Sequence, residues 1–194
     1  MRAFLYVVTN IIFKIFYRIE VKNAGKVPEK GPVLLCANHN TMMDMFFLGF
    51  RLKRWVHWMA KDELFRNPLA AFVLRALGAF PVKRGIGDVG SIKNALRILE
   101  QGEIVGIFPQ GTRINPLRTA AARVKPGAAM LAVNAGAPVL PAYIEGSCKL
   151  FGKMKIVYGD PYFIEKKPDG KYSKEEMAMF GEDIIRRIYS LAEE

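Results

Sequence analysis

From Gly31 to Asp44 the chain reads GPVLLCANHNTMMD, and the rest of the sequence can be interpreted outward from this segment. The apolar run Val33–Ala37 is short and follows a Gly-Pro pair, a pattern typical of a buried strand. The residues from Thr41 to Phe50 are rich in Met, Phe and Leu and predict a helix. His39 therefore falls where a strand passes into a helix at the edge of a sheet, which is a common position for a site in an open α/β fold.

His39 and Asp44 are five positions apart, a spacing that suits a general base and the carboxylate that orients it. A neutral imidazole can accept a proton near neutral pH, and a carboxylate on its other nitrogen fixes the tautomer and stabilises the imidazolium. The nearby helix N-terminus disfavours the charged ring and keeps the base available. Taken alone, the pair also fits a buried structural histidine beside a helix-start aspartate, and this simpler interpretation is favoured until the other segments are considered.

Length and composition limit the classes of protein to which the chain can belong. Its 194 residues are enough for one domain with a sizeable core, and 51% of them are hydrophobic, which suggests that some apolar surface faces lipid. The net charge of +11 favours an acidic partner such as nucleic acid, an anionic membrane surface or a phosphorylated substrate. Cys36 and Cys148 have no metal-ligand spacing and are expected to be reduced core residues of an intracellular protein. Two histidines argue against a His-rich metal site.

Residues 1–19 predict an amphipathic helix, because apolar residues recur at helical spacing and basic residues lie among aromatics. Polar residues interrupt the apolar run too often for a spanning helix, and no small-residue cleavage site follows it. We expect this helix to lie in the membrane interface, with packing on the domain core as the alternative. Residues 20–194 are expected to form one α/β domain, with a mixed, mostly parallel sheet flanked by helices.

Two further predicted strands end in cations. The strand Trp55–Lys61 ends at Lys61, and the strand Gly78–Arg84 ends in Lys83 and Arg84, with glycines after it. A Lys-Arg pair at a strand end suits a phosphate, and a solvated basic loop fits the local pattern equally well.

The strand Ile104–Phe108 runs into the turn Pro109–Arg113, which reads PQGTR. The proline ends the strand and the glycine permits a tight turn. Such a turn can direct backbone N–H groups and the arginine at an anion.

The remaining elements follow from caps, breakers and apolar spacing. Three helices are predicted from Leu69 to Leu77, from Asp88 to Glu100 with Val89, Ile92, Leu96 and Leu99 on one face, and from Gly127 to Asn134. A capping box at Ser173 opens the last helix, which is expected to run to about Leu191. Strands are predicted over Ile19–Lys22, Pro138–Ile144 and Lys155–Tyr158.

Four segments in this order resemble the motifs of the glycerolipid acyltransferase family. An Asn-His pair followed by four residues and Asp is matched by Asn38, His39 and Asp44, and a glycine-started strand ending in arginine is matched by Gly78–Arg84. The motif Phe-Pro-Glu-Gly-Thr-Arg is matched by Phe108–Arg113, and a strand punctuated by prolines by Pro138–Pro141. Each motif is weak alone, but four in order, over roughly residues 20 to 160, are specific.

The departure from the family pattern is Gln110, which stands where the family usually has glutamate. Glutamine keeps the shape and an acceptor oxygen but lacks the charge. If the family's glutamate organises the neighbouring arginine or the hydroxyls of the acceptor, Gln110 does so more weakly. If the charge is required, the chain is impaired or uses a different acceptor.

The resemblance implies an enzyme of phospholipid biosynthesis. It would move a fatty acyl group from acyl-coenzyme A or acyl-carrier protein to the free hydroxyl of 1-acyl-glycerol 3-phosphate, giving phosphatidic acid. His39 would be the general base, held by Asp44, and no acyl-enzyme is needed because the acceptor is itself the nucleophile. No metal or redox cofactor is implied.

The resemblance also assigns residues to the substrates. Arg84 and Arg113, helped by Lys83, would hold the phosphate of the acceptor, because the guanidinium fork suits that geometry. Gln110, Gly111 and Thr112 belong to the same turn as Arg113. Lys61, or backbone N–H groups near Gly111, would stabilise the oxyanion. The N-terminal helix would hold the enzyme on anionic phospholipid at the cytoplasmic face of the cell membrane, as a peripheral or monotopic protein.

Several alternatives remain at this point. The acceptor could be glycerol 3-phosphate, another lysophospholipid or a lyso-aminolipid, and Gln110 would also fit a non-catalytic membrane-binding relative. Cys36, three residues before His39, is a possible nucleophile, but its place inside a buried strand argues against it. Nucleic-acid binding is disfavoured because the cations are spread along the chain without an array of exposed aromatics.

Overall fold

A seven-stranded sheet forms the centre of the structure, a computed structural model that describes residues 2–49, 52–83, 88–113 and 126–194. The strands are β1 (Arg18–Lys22), β2 (Val33–Ala37), β3 (Val56–Lys61), β4 (Phe80–Val82), β5 (Ile104–Ile107), β6 (Val139–Gly146) and β7 (Lys153–Tyr158). The helices are α1 (Arg2–Phe16), α2 (Asp44–Gly49), α3 (Pro68–Ala76), α4 (Val89–Glu100), α5 (Gly127–Ala135) and α6 (Lys174–Ser190). Short 3₁₀ turns occupy Ala24–Lys26, Asp62–Phe65 and Leu191–Glu193.

The strand order is β1-β7-β6-β2-β5-β3-β4, and every neighbouring pair is parallel except β6 and β7. The predicted mixed, mostly parallel α/β sheet is therefore confirmed. Because β2 to β6 run in the same direction, they all end at one edge of the sheet, which we call the carboxyl edge. β1 and β7 run the other way, so the start of β1, the end of α1 and the β6–β7 connection lie at this same edge.

Two helical layers cover the sheet. Phe13 of α1 and Phe47 of α2 pack on one face with Leu35 of β2, while α4, α5 and α6 pack on the other face. Leu34 and Cys36 of β2 point into that second layer. All five residues of β2 are buried, which explains why its sequence is continuously apolar instead of alternating.

The helix boundaries follow the predicted signals closely. The side chain of Asn67 accepts N–H bonds at the start of α3, and Ser173 and Glu176 form the predicted capping box of α6. The helix after β2 begins at Asp44 and not at Thr41, because the Asp44 carboxylate accepts backbone N–H bonds from Asn40 and Thr41 and holds the intervening residues in a turn.

Two expectations about burial are wrong. Val89 at the start of α4 is exposed, and the buried stripe of this helix is Ser91, Ala95, Ile98 and Leu99. Cys148 is exposed in the β6–β7 connection, whereas Cys36 is buried as expected. No helix within the described part of the chain combines the length and the apolar character that crossing a bilayer requires.

Arg54 ties together the loops that precede two central strands. Its guanidinium donates to the carbonyl oxygens of Pro28 at 2.8 Å and Gly31 at 2.7 Å, and also to the carbonyl of Gly102. Gly31 leads into β2 and Gly102 into β5, so these bonds fix the amino ends of the central pair, opposite the carboxyl edge.

We therefore expect Arg54→Met to destabilise the fold by about 2 kcal/mol, because charge-assisted bonds to three partly buried carbonyls are lost. Urea unfolding followed by circular dichroism measures this effect. Lys53→Met is the matched control, since the ion pair of Lys53 with Glu29 is fully solvated and contributes little. Equal stabilities for the two variants would contradict the structural role of Arg54.

Candidate active site

The Asp44 carboxylate is the organising acceptor of the loop that follows β2. Its Oδ2 accepts from the backbone N–H of Asn40 at 2.6 Å and of Thr41 at 2.8 Å, and Oδ1 accepts from Thr41 Oγ1 at 2.7 Å. The side chain of Asp44 is fully buried. These bonds fix the position of the carboxylate and, at the same time, hold the loop in its turn.

His39 completes this arrangement. Its Nδ1 lies 2.9 Å from Asp44 Oδ2, and 13% of its side chain is exposed. Since Nδ1 faces the carboxylate, Nε2 is the nitrogen left to meet a substrate. The ring is therefore held by Asp44 on one side and is not sealed in the interior, unlike the buried structural histidine that the sequence alone allowed.

Asn38 and Asn40 fasten the same loop to β6. The side-chain amide of Asn38 donates to the Ile144 carbonyl at 2.8 Å and accepts the Ile144 N–H at 2.8 Å, while Asn40 Nδ2 donates to the same carbonyl at 2.9 Å. The β2–β6 pairing ends at Ala37, so Asn38 replaces the next backbone rung with its side chain. This explains physically why an asparagine precedes the histidine.

Two aromatic rings form a stack with the imidazole of His39. Phe108, just after β5, stacks on the imidazole with a centroid distance of 4.0 Å and an interplanar angle of 14°. Trp58 of β3 stacks on Phe108 at 5.1 Å and 14°. A Cβ on Gly106 would lie 2.5 Å from the Trp58 ring, so glycine at this position lets the indole lie flat over the sheet. The sequence analysis missed this stack, although a glycine inside a strand is a signal of close approach.

The turn after β5 is built by its own backbone and by α6. The N–H of Gly111 donates to the Phe108 carbonyl at 2.9 Å, so this N–H is already engaged inside the turn. Gln110 is buried, and its Nε2 donates to Tyr189 Oη of α6 at 3.1 Å. Its Oε1 has no hydrogen-bond partner among the residues that the structure describes. Thr112 and Arg113 are exposed.

The predicted base and the predicted cations follow adjacent strands at the carboxyl edge. His39 follows β2, Arg113 follows β5, Lys61 ends β3 and Lys83 follows β4, in the spatial order β2-β5-β3-β4. Arg84 lies outside the described residues.

Lys61 Nζ is 3.0 Å from Glu63, and this hydrogen bond lowers the pKa of the Glu63 carboxyl. The backbone N–H of Lys83 donates to Asp88, and its side chain is exposed.

Cys36 has the opposite environment to His39. Its side chain is completely buried in the layer of α4, α5 and α6, and burial raises the pKa of its thiol far above the ordinary value. The stacking partners of His39, in contrast, belong to the other face of the sheet. The thiol therefore has neither the exposure nor the ionisation that a nucleophile needs.

The chain is similar to proteins of known activity. A family model described as Acyltransferase matches residues 18–145. The chain is 34% identical over 193 residues to the 1-acyl-sn-glycerol-3-phosphate acyltransferase of Bacillus subtilis (strain 168), a match that covers 94% of this chain and 92% of that protein. It is 33% identical over 128 residues to the lyso-ornithine lipid O-acyltransferase of Pseudomonas aeruginosa, covering 64% of this chain and 47% of that protein.

A solved structure agrees with these sequence matches. The crystal structure of the 1-acyl-sn-glycerophosphate acyltransferase from Thermotoga maritima superimposes with a TM-score of 0.71 at 25% identity, covering 98% of this chain and 81% of that one. Fold, motif order and sequence identity point to the same assignment. The chain belongs to the acyltransferase family.

Proposed function

We propose that the chain transfers a fatty acyl group from an acyl-thioester to the free hydroxyl of 1-acyl-glycerol 3-phosphate, giving phosphatidic acid. The observation that carries this proposal is the bond between buried Asp44 and partly exposed His39, at a sheet edge where three adjacent strands end in cations. The Bacillus relative, named for this reaction, aligns over nearly the whole chain. The donor is acyl-coenzyme A or acyl-carrier protein.

The reaction uses Nε2 of His39 as the base. Nε2 takes the proton of the acceptor hydroxyl while the hydroxyl oxygen attacks the thioester carbonyl carbon. The C–S bond then breaks, the imidazolium returns its proton to the departing thiolate, and the new ester remains. Asp44 holds Nδ1–H throughout, and stacking on Phe108 limits rotation of the ring.

The acceptor phosphate lies among the cations of the carboxyl edge. Arg113 and Lys83 are exposed there, and Arg84 directly follows Lys83 in the sequence. Guanidinium groups match phosphate oxygens in pairs, whereas lysine acts as a point charge. Lys61 must exchange its ion pair with Glu63 before it can donate to an oxyanion, and the Gly111 N–H must leave the Phe108 carbonyl to do the same.

We propose that helix α1 holds this site at a bilayer. Its residue Phe13 is buried against α2, while Val7, Ile11, Ile12 and Ile15 are exposed. The helix thus packs on the core with one side, as the alternative interpretation expected, and presents an apolar surface with the other. Such a helix lies in the membrane interface, where the acyl chains of both substrates are found. The protein is peripheral or monotopic at the cytoplasmic face of the cell membrane.

A second acceptor class has specific support. Gln110 removes the charge that the family usually has in this turn, and the Pseudomonas relative is named for a lyso-ornithine lipid acceptor. Parallel assays with lysophosphatidic acid, glycerol 3-phosphate and a lyso-ornithine lipid decide among these three acceptors. We expect lysophosphatidic acid to give the highest kcat/KM. A higher kcat/KM for the lyso-ornithine lipid would identify the aminolipid as the acceptor instead.

Replacing the proposed base tests the mechanism. We expect His39→Ala to lower kcat by about a thousandfold, because general-base catalysis typically contributes two to four orders of magnitude. Transfer of a radiolabelled acyl group to lysophosphatidic acid measures it, with circular dichroism as the folding check. The control Cys36→Ala should retain full turnover. If His39→Ala kept its activity or Cys36→Ala abolished it, the base assignment would be wrong.

Replacing the arginine of the turn tests phosphate binding. Arg113→Ala should raise KM for lysophosphatidic acid by about 10- to 100-fold, since charged hydrogen bonds contribute roughly 1.5–3 kcal/mol. Its kcat should change little, because the phosphate takes no part in the bonds that form and break. Arg97→Ala on α4 is the control and should leave both constants unchanged. A fall in kcat with unchanged KM would place Arg113 at the reacting atoms instead.

A further inference from the structure

Helix α3 and the turn before it carry an exposed apolar surface. Leu69 is 73% exposed and Phe72 65% exposed, and Leu64 and Val73 are exposed beside them. Positions 69, 72 and 73 have the i, i+3, i+4 spacing of one helix face. We call Leu64, Leu69, Phe72 and Val73 the α3 face.

The α3 face is not needed for folding, because the other side of the helix already faces the interior. Ala71 is buried, and Leu74 packs against the core layer that contains Phe13 and Phe47. In the opposite layer, exposed large apolar side chains are isolated within the described helices, with Val89 on α4 and Met179 on α6. A contiguous apolar surface on a short helix is a signal of an interaction site, whereas single exposed residues are ordinary.

The topology places the α3 face beside the active site. α1 and α3 cover the same face of the sheet at opposite ends of the strand order, α1 near β1 and α3 near β3 and β4. α1 ends at the carboxyl edge, and α3 begins there, directly after β3 and its turn. The exposed residues of the two helices therefore flank the edge that holds His39, and the ring of His39 stacks on that same side of the sheet.

We propose that the α3 face inserts into the surface of an anionic phospholipid bilayer, as a second contact besides α1. Two contacts at opposite ends of the sheet fix the rotation of the domain and turn the carboxyl edge toward the lipid. A single helix would leave that rotation free. This inference rests on the proposed function, because a lipid acceptor requires the site to meet a bilayer.

Charge identifies the partner. Arg66, just before α3, and Arg75, in its last turn, are both exposed, and Glu63 is already paired with Lys61. Cations at the rim of an apolar surface suit anionic headgroups. A second copy of the chain fits less well, because a symmetric contact through the α3 face would bring Arg66 and Arg75 toward their own counterparts.

Vesicle binding tests the proposal. The full chain, Leu69→Ser/Phe72→Ser, and the control Val89→Ser/Met179→Ser are compared by co-sedimentation with vesicles of three parts phosphatidylcholine and one part phosphatidylglycerol. The α3 variant should bind at least about tenfold more weakly, from the loss of two inserted side chains. The control should bind within about twofold of the unchanged chain, and all three should have the same circular dichroism spectrum.

A direct probe complements the loss of binding. In Phe72→Trp, the added indole should show a blue-shifted emission with these vesicles and should be quenched by brominated acyl chains, measured as the difference from the unchanged chain. The proposal would be overturned by unshifted emission of Phe72→Trp or by unchanged vesicle binding of the double serine variant. It would also be overturned if the unchanged chain ran as a dimer on gel filtration and the double serine variant ran as a monomer.

Turnover separates this proposal from the proposed function. With short-chain substrates below their micellar concentration, the double serine variant should keep its full rate, because no bilayer is involved. A chain without any acyl transfer, whose vesicle binding still depends on Leu69 and Phe72, would refute the proposed function and leave the membrane contact standing. A loss of soluble-substrate turnover in the variant would show that α3 acts on the site and not on the lipid.

Discussion

The hydrogen bonds of one buried carboxylate hold the site together. Asp44 accepts two backbone N–H groups and one hydroxyl from the loop that carries His39, and also meets the imidazole itself. These bonds delay the start of α2, shape the turn and orient the ring in a single arrangement. A carboxylate bonded in this way cannot rotate freely, so the imidazole that it meets is oriented before a substrate arrives.

The sheet then determines what the ring can reach. Since β2 to β6 are parallel, segments far apart in sequence end at the same edge, and a histidine, an arginine and two lysines follow neighbouring strands there. Tyr189 reaches Gln110 from the helical layer on the opposite face, so both layers contribute to this edge. The α1 and α3 surfaces flank it. The proposed proton acceptor, phosphate site and lipid contacts consequently share one edge of the sheet.

Local signals in the sequence predicted most of this architecture. The continuous apolar run of β2, the capping box at Ser173 and the Asn67–Pro68 helix start depend on neighbouring residues, and each was confirmed within a few positions. The contact of His39 with Asp44 was also predictable, because the turn from a strand into a helix lets a carboxylate at the helix start fold back toward the ring. The burial of single side chains was less predictable, and Val89 and Cys148 are exposed despite their apolar character.

The contacts that the sequence did not reveal are long-range. The Trp58–Phe108–His39 stack joins three strands, and its requirement for Gly106 becomes visible only once the strand register places that glycine opposite Trp58. The bond from Gln110 to Tyr189 spans 79 positions, and no local pattern predicts it. The α3 face could be identified only from the exposure of each side chain in the structure. A helix of this composition could equally be covered on all sides.

The tautomer of His39 decides whether Nε2 can act as the base. The chain has two histidines, so the ring nitrogens of a ¹⁵N-labelled sample can be assigned by comparing the unchanged chain with a His57→Gln variant. In the neutral ring we expect the proton on Nδ1, facing Asp44, and we expect Nε2 to have the shift of an unprotonated nitrogen. A proton on Nε2 under the same conditions would contradict the account, because the nitrogen assigned as the base could not then accept the proton of the acceptor hydroxyl.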